Sequence, residues 1–394
     1  MDPDVAAAGP MVPVASPEPP AFAADSTPVS LWNIERELNR QLPTGGPDAQ
    51  HAVHRARMSN LMIFCDSEAR AAQVAAEIPA IIAMHPARVI LLLGEPDGKK
   101  DVADRVDAWV RTWHHQSSGG QQICTELITL RASGSGVSRL PFCVRELLLG
   151  DLPTNLWWAA SQPPGFGGNV LFDLSEHVEQ IVYDSIGWLE PARAVAATAA
   201  WLTKFERGSG IGRRRVASDL NWRRLKYWRR LLGQALAPAS APGALESITE
   251  VLVEHGPHAV VQAWELVSWL AARLGWQVQK GRVEVGVELD WDVVAPHGPL
   301  RVRIARLPEG PSVVRRLRIA CTIGGKVGAL NVVDQDGQHL AVFLEGMDAA
   351  PRTVLFKAEG LADLAGRQLA DREFDPVFHD AMAVAKTLAQ SVLQ

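Results

Sequence analysis

The sequence predicts an α/β protein: a Rossmann-like, mostly parallel sheet in an N-terminal domain, followed by a C-terminal α+β domain containing an antiparallel sheet. Three observations predict it. Short apolar runs between residues 59 and 183 alternate with helical stretches, the pattern of strands buried on both faces. From residue 282 the apolar period switches to two, with polar turns between the runs. The length of 394 residues suits two domains, and 47% hydrophobic with 21% charged residues supplies a core for each.

Residues 1–28 are rich in alanine and proline and read as a disordered tail, unable to bury enough surface to offset the entropy of ordering. The α/β domain spans 29–206. Ser30 caps a helix over Leu31–Gln41, stopped by Pro43. Ser59–Cys65 is a strand, and Asp66 or Ser67 caps the alanine-rich helix that follows to Met84. Arg88–Leu93 is the second strand, ended by Gly94. Val102, Val106, Trp109 and Trp113 fall on one face of a helix over Asp101–His114. Gln121–Arg131 is a third strand, Gly134 and Gly136 make a turn, and Val137–Leu149 is helical. Thr154–Trp158 and Gln180–Tyr183 are further strands, and Pro191 opens a helix to Glu206.

Residues 207–243 form a basic connecting helix and linker, in which Asp219 or Asn221 caps a helix over Trp222–Leu236. The α+β domain spans 244–394. Val260–Leu274 is an apolar helix. Arg282–Trp291 alternates strictly, and strands follow at Leu300–Arg306, Val313–Cys321, Lys326–Val333, His339–Leu344 and Thr353–Lys357. Helices near Leu361–Leu369 and Asp375–Leu393 end the chain.

Composition excludes several classes of function. The net charge of −5 argues against a general nucleic-acid coat. No apolar run reaches the length of a membrane helix, and the N-terminus, with Asp2, Asp4 and repeated prolines, makes a poor signal peptide. Cys65, Cys124, Cys143 and Cys321 are isolated, as buried thiols in a reducing compartment are. A cytoplasmic protein is expected.

No complete catalytic constellation emerges. Ser133–Arg139 follows a strand and opens a helix, so Gly134, Gly136 and Arg139 could hold an anion, although the turn lacks the third glycine of a dinucleotide fingerprint and the lysine of a P-loop. A plain structural turn competes with that reading. His51 with His54, and His114 with His115, lack further ligands at metal spacing. There is no nucleophile elbow.

Other features point to a surface. Thirteen tryptophans stand against two tyrosines, and Trp157-Trp158 ends a strand before a turn-rich loop. Adjacent strand residues face opposite sides, so one indole can be core while the other meets a groove. Between Lys204 and Arg230 lie ten Lys/Arg and two Asp/Glu. There Trp222, Leu225, Trp228, Leu231 and Leu232 share an apolar face, with Arg223, Lys226 and Arg230 opposite. That helix suits an acidic protein surface, a membrane surface, nucleic acid, or simple solvation above a packed face. Arg301 with Arg303, and Arg316 with Arg318, form a ladder that Glu284 and Glu288 could pair across strands; a shallow anion site is the alternative.

At this point the chain resembles the OpcA family, glucose-6-phosphate dehydrogenase assembly proteins of cyanobacteria and actinobacteria. The matching stretches are Arg57–Asp66, His85–Ile90, Gln122–Ile128, Leu147–Pro153 leading into Trp157-Trp158, Asp184-Ser185, Asp219–Arg223 and Asp375–Phe378. Gly150 stands where the family carries proline. The resemblance implies a non-enzymatic factor, without a cofactor, that activates glucose-6-phosphate dehydrogenase by binding it and favouring its active oligomer. Trp157, Trp158, Asn221, Trp222, Arg223, Lys226 and Arg230 are the expected contacts. A sugar-phosphate- or nucleotide-binding enzyme or sensor using the Gly134–Arg139 turn is the competing expectation.

Overall fold

The computed structural model describes residues 18–41, 54–55, 57–95, 105–116, 122–207, 215–284, 288–346 and 350–394. In chain order the first half comprises β1 (Thr27–Val29), α1 (Ile34–Arg40), β2 (His54–Arg55), β3 (Ser59–Cys65), α2 (Glu68–Met84), β4 (Ala87–Glu95), β5 (Val106–Gln116), β6 (Gln122–Ser133), α3 (Leu140–Arg145), β7 (Thr154–Trp158), α4 (Gly168–Leu174), β8 (Gln180–Tyr183), α5 (Pro191–Arg207) and β9 (Val216–Asp219). The second half comprises α6 (Leu220–Arg224), α7 (Lys226–Ala235), β10 (Glu250–His255), α8 (Val260–Leu274), β11 (Gln277–Glu284), β12 (Glu288–Ala295), β13 (Gly298–Arg306), β14 (Val314–Ile323), β15 (Lys326–Asp334), β16 (His339–Glu345), β17 (Arg352–Leu355), α9 (Leu361–Ala370) and α10 (Pro376–Leu393).

The first sheet runs β1-β5-β6-β4-β3-β7-β8-β9, with β2 also paired to β6. Strands β4, β3, β7, β8 and β9 are parallel to their neighbours, and β6 joins β4 in parallel. Every residue of β3 and β7 is buried, so these strands carry no polar face, as a sheet covered on both sides requires. Leu61, Ile63, Cys65 and Trp157 pack under α2 and α9, whereas Met62, Phe64, Leu156 and Trp158 point to the opposite core. The fold is the α/β class that the sequence predicts.

Several elements differ from expectation. The stretch assigned as a helix over Asp101–His114 is strand β5 from Val106, paired with β6 from Val106↔Ala132 to Gln116↔Gln122. Eleven ladder pairs outweigh an apolar spacing that also fits a helix. Thr27 and Pro28, placed in the tail, pair with β5 together with Val29, and Ser26 and Ala23 are buried. The alternation over Arg282–Trp291 belongs to two strands, β11 and β12, paired antiparallel from Gln277↔Val294 to Glu284↔Glu288. Gly134–Arg139 is a 3-10 turn and α3 starts only at Leu140.

The second sheet runs β11-β12-β13-β10-β14-β15-β16-β17 and is antiparallel except where β10 lies parallel to β13. Its inner face packs on α8 and α10. Trp291 is fully buried, meets Trp264 edge-on at 5.1 Å and donates to the Leu388 carbonyl at 3.1 Å. On the outer face the arginine ladder is paired internally. Arg301 binds Asp290 and lies 3.7 Å from Glu284, Arg303 reaches Glu250 at 2.6 Å, and Arg318 bridges Glu250 and Glu345 at 3.6 and 3.2 Å. Cross-strand ion pairing therefore accounts for the ladder, with β10 supplying partners that the sequence did not flag.

The N-terminal ends of the parallel strands hold a buried polar network. Arg88, 2% exposed, donates to Glu126 Oε2 at 3.0 Å, to the Leu147 carbonyl at 3.0 Å and to Glu35 Oε2 at 3.1 Å. Arg57 completes the Glu126 carboxylate. Asn60 clasps Leu149 in both directions at 3.0 Å. Removing the cation strands a buried carboxylate, which costs far more than breaking an exposed pair. Arg88→Leu is expected to lower unfolding free energy by about 3–5 kcal/mol. Arg318→Ala on the outer face should cost less than about 1 kcal/mol. Urea titrations of the two variants check the contrast.

Candidate functional site

Two places concentrate polar chemistry. The first is a cleft of about 500 Å³ at the C-terminal ends of β3, β4 and β7. The chain leaves β3 for β4 on one side and returns to β7 on the other, so the cleft lies at the point where strand order reverses. Phe64 and Trp158 stack at 4.6 Å and 8° to form its floor. Asp66, one residue after β3, accepts a hydrogen bond from the Ser161 amide at 2.8 Å and another from the Ser161 hydroxyl. Ser67 caps α2 by accepting from the Arg70 amide. Glu95, at the end of β4, is held by Arg131 at 2.9 Å. The Trp158 indole donates to the Gln162 carbonyl at 2.8 Å and pins the loop after β7.

The second place is the junction of the two sheets, where β9 passes into α6. Asp219 caps α6, accepting from the amides of Asn221 at 2.8 Å and Ser185 at 3.2 Å. Asn221 is fully buried and donates to Ser185 Oγ at 2.8 Å. Arg224 grips Asp184 with two bonds of 2.7 and 2.8 Å. Burial, and then the neighbouring Asp184, push the Asp219 carboxyl up to about 7. Glu265 of α8 is raised well above the carboxylate range, first by burial and then by the nearby Asp219. The Tyr183 phenol is raised as well, chiefly by burial. Burial thus favours the protonated form of two carboxyls in the protein interior.

The same junction carries the basic helix. A break at Leu225 divides the expected Trp222–Leu236 helix into α6 and α7. Trp222 is buried, donates to Asp375 Oδ2 at 2.7 Å, and carries the Arg229 guanidinium 3.5 Å above its ring. Burial lowers the Arg229 guanidinium to about 10. Arg223 meets Gln368 at 3.2 Å and Asp371 at 3.5 Å. With Lys226, these side chains line a cavity of about 390 Å³ closed by Phe374, Pro376 and Phe378.

The expected contact residues are therefore divided by the fold. Trp157 and Trp158 are 2% and 4% exposed and face opposite cores, so neither indole is presented to a partner; a two-faced sheet buries both positions. Asn221 and Trp222 are likewise interior. Arg223 is half-buried, and Lys226 and Arg230 are exposed on α7. At the glycine turn, Gly134 takes φ +56°, a left-handed conformation suited to glycine, while Arg139 is exposed. The turn spans only six residues of 3-10 helix. His51 lies outside the described residues, as do the side chains of His54, His114 and His115; among the described residues no group of three or more His, Cys, Asp or Glu could hold a metal. Cys65, Cys124 and Cys321 are buried, Cys143 is half-buried, and burial pushes Cys65 up to about 12. Among the described residues no helix is long and apolar enough to cross a membrane. Glu265, central to the junction, was not singled out in the sequence, and Asp375 entered only through the matching stretch Asp375–Phe378; a glutamate inside the apolar run of α8 was the available signal.

Comparison with known proteins gives a consistent picture. Residues 78–200 match the family described as glucose-6-phosphate dehydrogenase subunit N-terminal domain, and residues 215–382 match the corresponding C-terminal domain. A Synechocystis protein named as an OxPP cycle protein, OpcA, is 27% identical over 79% of this chain and 65% of its own length. Its namesake in Nostoc punctiforme is 31% identical over 54% of this chain and 42% of its own length. The matched part is thus less than two thirds of each relative. Among solved structures, an oxidoreductase from Sinorhizobium meliloti aligns with TM-score 0.51 at 12% identity, covering 86% of this chain and 97% of its own. That likeness concerns the fold alone.

The raised Asp219 carboxyl makes stability depend on pH. Its folded value of about 7 lies above its ordinary 3.8. The native state therefore keeps a proton that the unfolded chain releases, and the stabilisation present below about pH 4 is lost as pH rises to about 7. Asp219→Asn keeps an acceptor for the α6 cap and removes this titration. The variant is expected to gain on the unsubstituted protein steadily from pH 4.5 to pH 7, as read from urea midpoints at each pH. Parallel curves across that range would contradict a raised Asp219 carboxyl.

Proposed function

We propose, since this chain belongs to the OpcA family of glucose-6-phosphate dehydrogenase subunits, that it is a non-catalytic, cytoplasmic factor of the oxidative pentose phosphate pathway. It binds glucose-6-phosphate dehydrogenase and favours the enzyme's active oligomer. The observation that carries this reading is the match of both halves of the chain to domains described as subunits of that dehydrogenase. The polar chemistry supports it. Asp219, Glu265 and Tyr183 are buried between the sheets, beyond the reach of a substrate, and Arg88, Glu126 and Asn60 serve the strand ends.

Activation by binding requires higher affinity for one oligomeric state of the partner than for the other. The surface that suits such a contact is α7 with the adjoining cavity. Lys226 and Arg230 stand in water there, beside a pocket that combines cations with Phe374 and Phe378. Exposed cations set orientation and association rate, and a partner side chain seated in the pocket supplies affinity.

Co-purification with the dehydrogenase over a range of salt concentrations, with the enzyme's oligomer followed by sedimentation, tests the proposal. The complex should form, weaken with salt, and shift the enzyme to its active assembly. Lys226→Glu with Arg230→Glu should reduce affinity by about tenfold or more without changing the thermal midpoint. Absence of a complex, with oligomer and activity unchanged, would reject it.

A further inference from the structure

We infer that the cleft at the ends of β3, β4 and β7 is closed to nicotinamide dinucleotides by the chain's own Asp66, whose carboxylate occupies the place of a ligand's anion. The topology puts the cleft where open α/β sheets take their ligands, outside the carboxyl ends of the strands at the reversal of strand order. A dinucleotide placed there needs a glycine turn after the first strand, so that its pyrophosphate can approach the backbone and the N-terminus of the next helix.

The residues present do not fit that ligand. The β3–α2 connection reads Cys65-Asp66-Ser67-Glu68 and contains no glycine. Asp66 sits one residue before the cap of α2 and is fastened to the Ser161 amide at 2.8 Å and to its hydroxyl. Those donors at the end of β7 are thus already facing a carboxylate. Glu68 adds an acid to the first turn of α2. At the end of β4, Glu95 is engaged by Arg131 at 2.9 Å. Among the described residues neither lysine nor arginine lines the cleft. The floor is also filled: Phe64 stacks on Trp158, and its ring lies so close to Gly94 that a Cβ there would meet it at 2.9 Å. A phosphate entering this cleft meets the Asp66 carboxylate at short range, while the nearby cation Arg131 is committed to Glu95. The inference stands independently of any dehydrogenase partner.

Titration of the full-length protein with NADP+, NADPH and ADP, followed by tryptophan fluorescence and by calorimetry at low salt, tests it. The unsubstituted protein should show no saturable binding up to about 1 mM. Asp66→Asn, which keeps an acceptor for Ser161, and Asp66→Gly should each gain affinity for ADP by about tenfold or more. A saturable isotherm in the micromolar range for the unsubstituted protein would overturn the inference. So would a folded Asp66→Asn protein that binds ADP no better than its parent. If Asp66→Gly fails to fold, the unsubstituted protein and Asp66→Asn decide the matter between them.

Discussion

The Asp219 carboxylate is the constraint on which the junction of the two sheets depends. It ends the last parallel strand, caps α6, holds the Ser185 amide that follows β8, and raises the proton affinity of Glu265 on α8. Each bond on its own is modest; together they fix the angle at which α6 leaves the first sheet. From that angle follow the burial of Trp222, its bond to the cap residue of α10, and the stacking of Arg229. A charged carboxylate at this depth, with only amide donors, would be costly. The raised affinity for protons is the physical consequence of building the junction around an acid pair.

The stretches that carry the family resemblance are explained by the same logic. Arg57, Ser59 and Asn60, His85 and Arg88, and Glu126 all lie at the N-terminal ends of neighbouring parallel strands. There Ser59 meets His85 at 2.9 Å, Arg88 meets Glu126, and Asn60 closes the Leu149–Thr154 connection. At the far edge Gln180 donates to the carbonyls of Gln368 and Asp371, tying β8 to the end of α9. The C-terminal segment thereby returns to the first sheet, where Leu364 and Leu369 share a core with α2. The motifs are therefore chiefly instructions for assembly of the sheet, which is why they reveal a family more readily than a site.

Much of the architecture was legible because parallel strands buried on both faces must be apolar throughout, and half-buried strands must alternate. β3, β4, β7 and β8 show the first pattern, and β13 and β14 the second, whereas β15 and β16 each hold a consecutive buried run. The reading failed where long-range pairing decides. In β5, Val106, Trp109 and Trp113 satisfy a helical period, but the strand is set by its ladder with β6. β10 was missed although Glu250–His255 alternates, because six residues with three charged or polar members give a weak signal. The site was less legible than the fold. The basic helix and the Trp-Trp strand were found, yet burial depends on which layer covers them, and composition does not encode that. Trp157 and Trp158 looked like a surface feature and are core.

The charge of the connecting segment changes meaning once its partners are known. Arg215 donates to the Glu176 carbonyl and lies over Phe205, Arg223 meets Asp371, Arg224 is held by Asp184, and Arg229 rests on Trp222. Of the six basic residues from 215 to 230, Lys226 and Arg230 remain exposed. A run that reads as a strong positive field is mostly consumed in holding the two sheets together. Among the described residues from 215 to 230, what is left is a pair of cations beside a pocket, too small a charge to drive association alone at physiological ionic strength. Affinity at this surface must come from shape and desolvation inside the cavity. Specificity follows from requiring a partner group that suits aromatic walls and a rim carrying both cations and carboxylates.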